Sequence, residues 1–149
     1  MKLLKFFSFV LICNSYFSQT TENITFKVTN YSVNGIKFDN LADNSDLALT
    51  FYTCGDSSIC FAKIFRKDDS QSFGAVFGIN YTKYKETEKE YAYDQHQFTW
   101  NFSNTFNNAK GKATVTLKEI FIGETFKMTA EIIILETNEI LLFKGYLEK

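Results

Sequence analysis

Few residues in this chain could do chemistry. Its one histidine, His96, stands beside Asp94, with Gln95 and Gln97 on either side. A Ser-His-Asp hydrolase would have to draw its general base from here. No Gly-x-Ser-x-Gly turn or other nucleophile motif accompanies it, so His96 reads as a surface side chain at a strand start. Glu86, Glu88, Glu90 and Asp94 supply carboxylates, but nothing spaces two of them as an acid and its partner base. They read as a solvated charged loop. The expectation is a protein that is not an enzyme and uses no cofactor.

Metal chemistry fares no better. One histidine, and three cysteines without a paired Cys-x-x-Cys, exclude a His-rich site and a zinc ribbon. Asp39 to Asp46 carries five Asp or Asn in eight residues. Such oxygen-rich loops can hold Ca²⁺, but the EF-hand spacing and its glycine are missing. Asx-rich turns need no ion to explain them, and no metal is expected. Cys54 and Cys60 flank Gly55-Asp56-Ser57-Ser58, which is turn chemistry between two apolar runs. They read as a disulfide stapling a hairpin tip, contributing about 2 kcal/mol through so short a loop. A redox pair would have two intervening residues and a helix start.

The aromatic load is the most unusual feature. The chain has 17 Phe, 8 Tyr and one Trp, with no Pro. One reading is a cavity lined by Phe and Tyr that takes a small hydrophobic molecule or lipid. The plainer one is that aromatics fill a strand-built core. Phe77, Tyr81, Trp100, Phe102 and Met128 are the candidate ligand contacts, and Trp100, flanked by Phe98 and Phe102, is expected at the centre of the core.

The elements that must hold these residues are strands, because period-two alternation runs through nearly all of the 149-residue chain beyond residue 18. Ile24, Phe26 and Val28 share a face. The phase slips near Asn30, and Asn34-Gly35 is a two-residue hairpin signal. Leu47, Leu49 and Phe51 form the next inward set, followed by Phe61 and Phe65 beyond the cysteine turn. Phe73, Ala75, Phe77, Ile79 and Tyr81 read as one apolar stripe, backed by Gly74 and Gly78, which mark a bend or a close backbone neighbour. Phe98, Trp100 and Phe102 continue the pattern, then Ala113, Val115 and Leu117, then Phe126, Met128, Ala130, Ile132 and Ile134. Tyr84 to Tyr93 alone breaks it and reads as a short helix or a solvated loop. About nine or ten strands with short turns predict a single antiparallel all-β domain over residues 19–149. Consecutive hairpins favour a meander barrel, lipocalin-like in architecture, over a two-sheet sandwich.

Residues 1–18 read as a signal peptide. Lys2 and Lys5 give the positive start, Phe6 to Cys13 the apolar core, and Asn14 to Ser18 the polar stretch before cleavage near Ser18. The core falls far short of the ~20 apolar residues of a spanning helix, so no membrane span is expected. Lipidation at Cys13 is not expected, because Ile12 stands where a lipoprotein signal needs a small residue. The mature chain would then be secreted or periplasmic, an oxidising setting in which a disulfide persists. A formal net charge of −1 offers no field for nucleic acid. Four N-x-S/T sequons, at Asn23, Asn30, Asn80 and Asn101, would matter only in a eukaryotic secretory pathway.

The final hairpin, Glu131 to Tyr146, is apolar on both faces through Ile132-Ile133-Ile134-Leu135 and Ile140-Leu141-Leu142-Phe143. A barrel buries only one face of a strand, so self-association through this hairpin is the expected partner contact. Together these features predict a non-catalytic binding protein that carries a small hydrophobic ligand or lipid in a Phe/Tyr-lined barrel. The alternative is a structural or interaction module docking on protein or glycan through an exposed sheet face.

Overall fold

The computed structural model describes residues 23–56, 58–86 and 91–148; the expected signal peptide lies outside them. Nine strands form one antiparallel sheet: β1 (Ile24–Val33), β2 (Ile36–Lys37), β3 (Leu47–Cys54), β4 (Ser58–Phe65), β5 (Ser70–Glu86), β6 (Tyr91–Asn104), β7 (Lys110–Ile122), β8 (Thr125–Ile134) and β9 (Ile140–Leu147). From β3 to β9 each strand pairs with its neighbour in sequence, and β1 pairs with both β3 and β9. Eight strands therefore close into a barrel, with β2 as a short addition to β1. The meander barrel is the fold; β5 pairs with β4 only over Ser70–Ala75, so its far part, Val76–Glu86, borders β6 alone.

The alternation read from the sequence places the core. Phe98 and Trp100 on β6, Ala113, Val115 and Leu117 on β7, Met128, Ala130 and Ile132 on β8, and Leu141 and Phe143 on β9 all point inward and are buried. Edge-on aromatic contacts knit the centre: the Phe61 ring lies 5.1 Å from Trp100 and 5.5 Å from Phe98. Reaching over β5, the Trp100 indole N–H donates to the Phe61 carbonyl at 2.9 Å, so the polar atom of the largest core side chain is satisfied. Gly74 answers the expectation of a close backbone neighbour, since a Cβ there would collide with the Asn101 carbonyl.

Three stretches depart from the sequence reading. The register of β5 against β6 shifts between Phe77 and Asn80, at Gly78, whose φ is +60°. Such a bulge inserts a residue and reverses the alternation beyond it. The supposed stripe from Phe73 to Tyr81 is therefore split: Phe73 and Phe77 face outward, 38% and 53% exposed, while Tyr81 pairs with inward-facing His96. Secondly, the described residues between Tyr84 and Tyr93 are strand, not helix or loop. β5 runs on to Glu86 and β6 begins at Tyr91, with Tyr84 opposite Tyr93. Their rings stack at 5.1 Å, and Tyr91 packs 6.1 Å from each. Cross-strand aromatic packing of this kind stabilises the ladder and overrides the charges nearby; of this stretch only 87–90 falls outside the described residues.

Thirdly, the Asx-rich run winds a six-residue helix, α1 (Asp39–Asn44), that buries Ala42 in the core. Two of its three carboxylates, those of Asp39 and Asp46, have protein partners. Asp39 accepts the Tyr31 backbone N–H at 3.0 Å, and Asp46 pairs with Lys27 at 3.1 Å and Arg66 at 2.9 Å. Arg66 also forks onto Glu148 at 2.6 and 2.7 Å, tying the end of β9 to the β4–β5 turn. These partners hold the Asp46 and Glu148 carboxyls below the usual carboxylate range. At the opposite hairpin, Cys54 and Cys60 are disulfide-bonded (S–S 1.95 Å). Among the described residues no helix is long and apolar enough to cross a membrane.

Candidate functional site

The waist of the barrel is packed. Phe26, Phe61, Trp100, Leu117, Met128 and Phe143 are each at most 2% exposed, and they divide the interior into two ends of opposite chemistry.

At one end, between the turns at 105–109 and 135–139, lies a cavity of about 290 Å³. Trp100, Ile132 and Leu141 line its inner part, and Phe102, Ile134 and Phe106 lie nearer the rim. Gly111 makes room here, because a Cβ on it would press into the Phe102 ring. The polar side chains along it are Lys63, Ser72, Asn104, Lys110, Glu136, Thr137 and Glu139. Ser72 and Asn104 satisfy each other, the hydroxyl donating to the amide oxygen at 2.7 Å. The Lys63 ammonium sits 5.3 Å from the centre of the Phe65 ring. Burial pulls the Lys63 pKa below the ordinary lysine value, against the opposing charge of Glu139. Burial, then the Glu139 charge, also pushes the nearby Tyr31 phenol up to about 12.

At the other end, Asp94 on β6 stands directly opposite Glu119 on β7, both facing inward and both 2% exposed. The Tyr81 hydroxyl donates to Asp94 Oδ1 at 2.9 Å, and the Tyr81 ring leans on His96 at 5.2 Å. Beneath them is a cavity of about 30 Å³ lined by Glu119, His96 and the apolar side chains of Ile24, Phe51, Ile79 and Phe98 among others. Glu119 Oε2 has no hydrogen-bond partner among the described residues. Burial first, and the Asp94 charge second, push the Glu119 carboxyl up to about 8. Burial lowers the His96 pKa, with Asp94 opposing. At neutral pH this end therefore holds a neutral imidazole and a protonated Glu119.

No protein-family model, curated protein or solved structure matches the chain. Its chemistry must be read from its own geometry, where a further hollow of about 500 Å³ lies outside the two ends, lined by Tyr31, Lys118, Glu131 and Leu142 among others. Of the five candidate ligand contacts, Trp100 and Phe102 come together at the larger cavity. Met128 is sealed in the waist, Phe77 lies outside the barrel because of the Gly78 bulge, and Tyr81 belongs to the acidic end. His96 is not a surface residue and Asp94 is not part of a solvated loop; both turn inward on β6. Glu119 escaped the sequence reading, although it continues the inward phase of Ala113, Val115 and Leu117. Asp94 and His96 likewise share the phase of Phe98, Trp100 and Phe102. Among the described residues no three His, Cys, Asp or Glu side chains converge as metal ligands.

Proposed function

We propose that this is a non-catalytic binding protein of the periplasm or cell exterior that takes a small hydrophobic or amphiphilic molecule at the Trp100 end of its barrel. The observation that carries this reading is the cavity of about 290 Å³ beside Trp100, at the lower edge of the size range of small-molecule pockets. The ligand's apolar part would lie against Trp100, Phe102 and Leu141. An anionic head beside Lys63 would restore to that ammonium the solvation it has lost. The packed waist limits the ligand to the mouth, so a long acyl chain would protrude. The Cys54–Cys60 disulfide is compatible with an extracellular location.

Trp100 is the chain's one tryptophan, so its fluorescence reports on this cavity directly. Titration with hexanoate, decanoate and decanol should give a saturable change in emission. Lys63→Met should weaken the carboxylates and spare the alcohol. No change with any of the three would reject the reading. A second reading, docking through an outer sheet face, is favoured by Phe73 and Phe77, which stand exposed on the outside of β5. Loss of a pulled-down protein partner on Phe77→Ser, with the fold intact, would support it.

A further inference from the structure

The acidic end has a feature that the Trp100 end does not help to explain. Two carboxylates face each other across β6 and β7 at 2% exposure, and among the described residues one oxygen of Glu119 has no hydrogen-bond partner, beside a cavity that Glu119 itself lines. Buried polar atoms left without a partner are rare in folded proteins, and each costs stability. The one charge acting on Glu119 is that of a second carboxylate, Asp94. The titratable groups facing Glu119 are few. β6 contributes Asp94 and His96, and β5 contributes Tyr81, with exposed Lys83 opposite Asp94 in register. β1, β3 and β8 present Ile24, Phe26, Phe51 and Met128, all apolar.

We infer that the Glu119 end of the barrel is a binding site for the ammonium group of a small primary amine, inserted head first. The match is one of size, donors and surroundings. About 30 Å³ admits one or two water-sized groups, which suits –NH₃⁺ and its first carbon and excludes a bulky head. The three N–H donors of an ammonium can reach an orphaned carboxylate oxygen and still serve a neighbouring acceptor. Phe51 and Phe98 give the cavity aromatic walls, which attract a cation where water is excluded. The tail would leave past Ile79, 40% exposed at the cavity edge. The site lies across the packed waist from Lys63, so it stands or falls separately from the ligand proposed above.

In the unliganded protein a proton occupies Glu119 at neutral pH, so the amine must displace it: Glu119–COOH and R–NH₃⁺ become the ion pair, with one H⁺ released to solvent. Alkylammonium ions, like a lysine side chain with a pKa of ~10.4, keep their charge throughout the working range. The test is calorimetric titration of the full folded chain with n-butylammonium chloride at constant ionic strength, in buffers of different ionisation enthalpy. Affinity should rise about tenfold per pH unit from 6 towards 8 and then level off, with close to one proton released at pH 6.5 and almost none at pH 9. Tetramethylammonium, equally charged but too large and without N–H, should not bind. Glu119→Gln should lose at least tenfold in affinity, and Asp94→Asn should also bind more weakly, while Lys63→Met should bind as the wild type does. Circular dichroism of each variant confirms the fold. Absence of binding heat at pH 8.5 would overturn the inference. So would binding without proton release at pH 6.5, or undiminished binding in a folded Glu119→Gln protein.

Discussion

A single strand builds both ends of the barrel. Along its inward face β6 presents Phe102, Trp100 and Phe98, and then, without any change of phase, His96 and Asp94. The backbone treats all five alike, since alternation is a property of the pleat and not of the side chains. What differs is how each end is covered. At the Trp100 end the strands stop at short turns, and a cavity of about 290 Å³ stays open. At the Glu119 end β5 and β6 run to 17 and 14 residues, against 8 for β3 and β4. From the far part of β5, which borders β6 alone, the Tyr81 hydroxyl donates to Asp94. An open cavity with an apolar floor and a rim of mixed charge thus stands opposite an acidic end with almost no open volume.

The sharpest way to break this arrangement is to remove the wall between the ends. Trp100→Ala empties the waist and strips the Phe61 carbonyl of its donor. Large-to-small changes of this type cost about 3–5 kcal/mol. Urea unfolding should show a fall of that size, and a loss under about 1 kcal/mol would mean that the waist is not the packed centre described here.

The next largest effect separates the ends by pH. Between the ordinary glutamate value of 4.5 and about 8, the folded protein keeps on Glu119 a proton that the unfolded chain has released. The folded state binds more protons in that window, so this group makes stability fall as pH rises, by about 1.4 kcal/mol per unit, with no further change above 8. Glu119→Gln, neutral at every pH, should remove that slope. It should be more stable than the wild type above pH 8, with the advantage shrinking towards pH 4.5. Parallel stability–pH curves for the two proteins between pH 5 and 8 would show that the Glu119 carboxyl ionises freely.

Most of this fold was legible in the sequence, because a β-barrel repeats one local rule along every strand. The inward sets on β1, β3, β7 and β8 are the ones the alternation predicts, and the cysteine spacing marked the hairpin that the disulfide closes. What failed was the phase across Gly78, where a bulge that depends on pairing with β6 reversed the faces and misplaced Phe77 and Tyr81. The acidic end failed for a different reason. Asp94 and His96 read by their polarity and not by their phase, although Phe98 and Trp100 follow two and four residues beyond His96. Glu119 was the same case on β7. Extending a well-established alternation through polar residues would have placed all three inside, but not the pairing of Asp94 with Glu119, which needs the β6–β7 register.

A smaller effect tests how the acidic end is held. Tyr81 is 44% exposed, yet its hydroxyl donates to the buried Asp94. Tyr81→Phe keeps the ring on His96 and removes that donor, which should cost about 1–2 kcal/mol. The loss should be confined to this end: the Trp100 emission maximum should not move, and Lys63-dependent ligand binding should be unchanged. A shift in Trp100 emission would mean that the waist transmits strain and that the two ends are not independent.

The smallest effect belongs to the outside of the barrel. On the β8–β9 hairpin the inward residues Ile132, Leu141 and Phe143 are core, while Leu135, Ile140, Leu142 and Tyr146 are 46%, 39%, 43% and 45% exposed. Among the described residues no second layer covers that outer row, and self-association through it is a proposal that sedimentation can test. Lysine at Leu135 or Leu142 places its charge in water, so the monomer should lose no more than about 0.5 kcal/mol. If the row is an interface between copies, the same lysine must be desolvated against apolar neighbours, and the assembly should dissociate. Sedimentation equilibrium of the wild type and of Leu142→Lys distinguishes the cases, since only an interface makes the mass, and not the melting curve, respond to the substitution. A wild type that sediments as a monomer at every concentration would leave the outer row a plain exposed surface and confine function to the two ends.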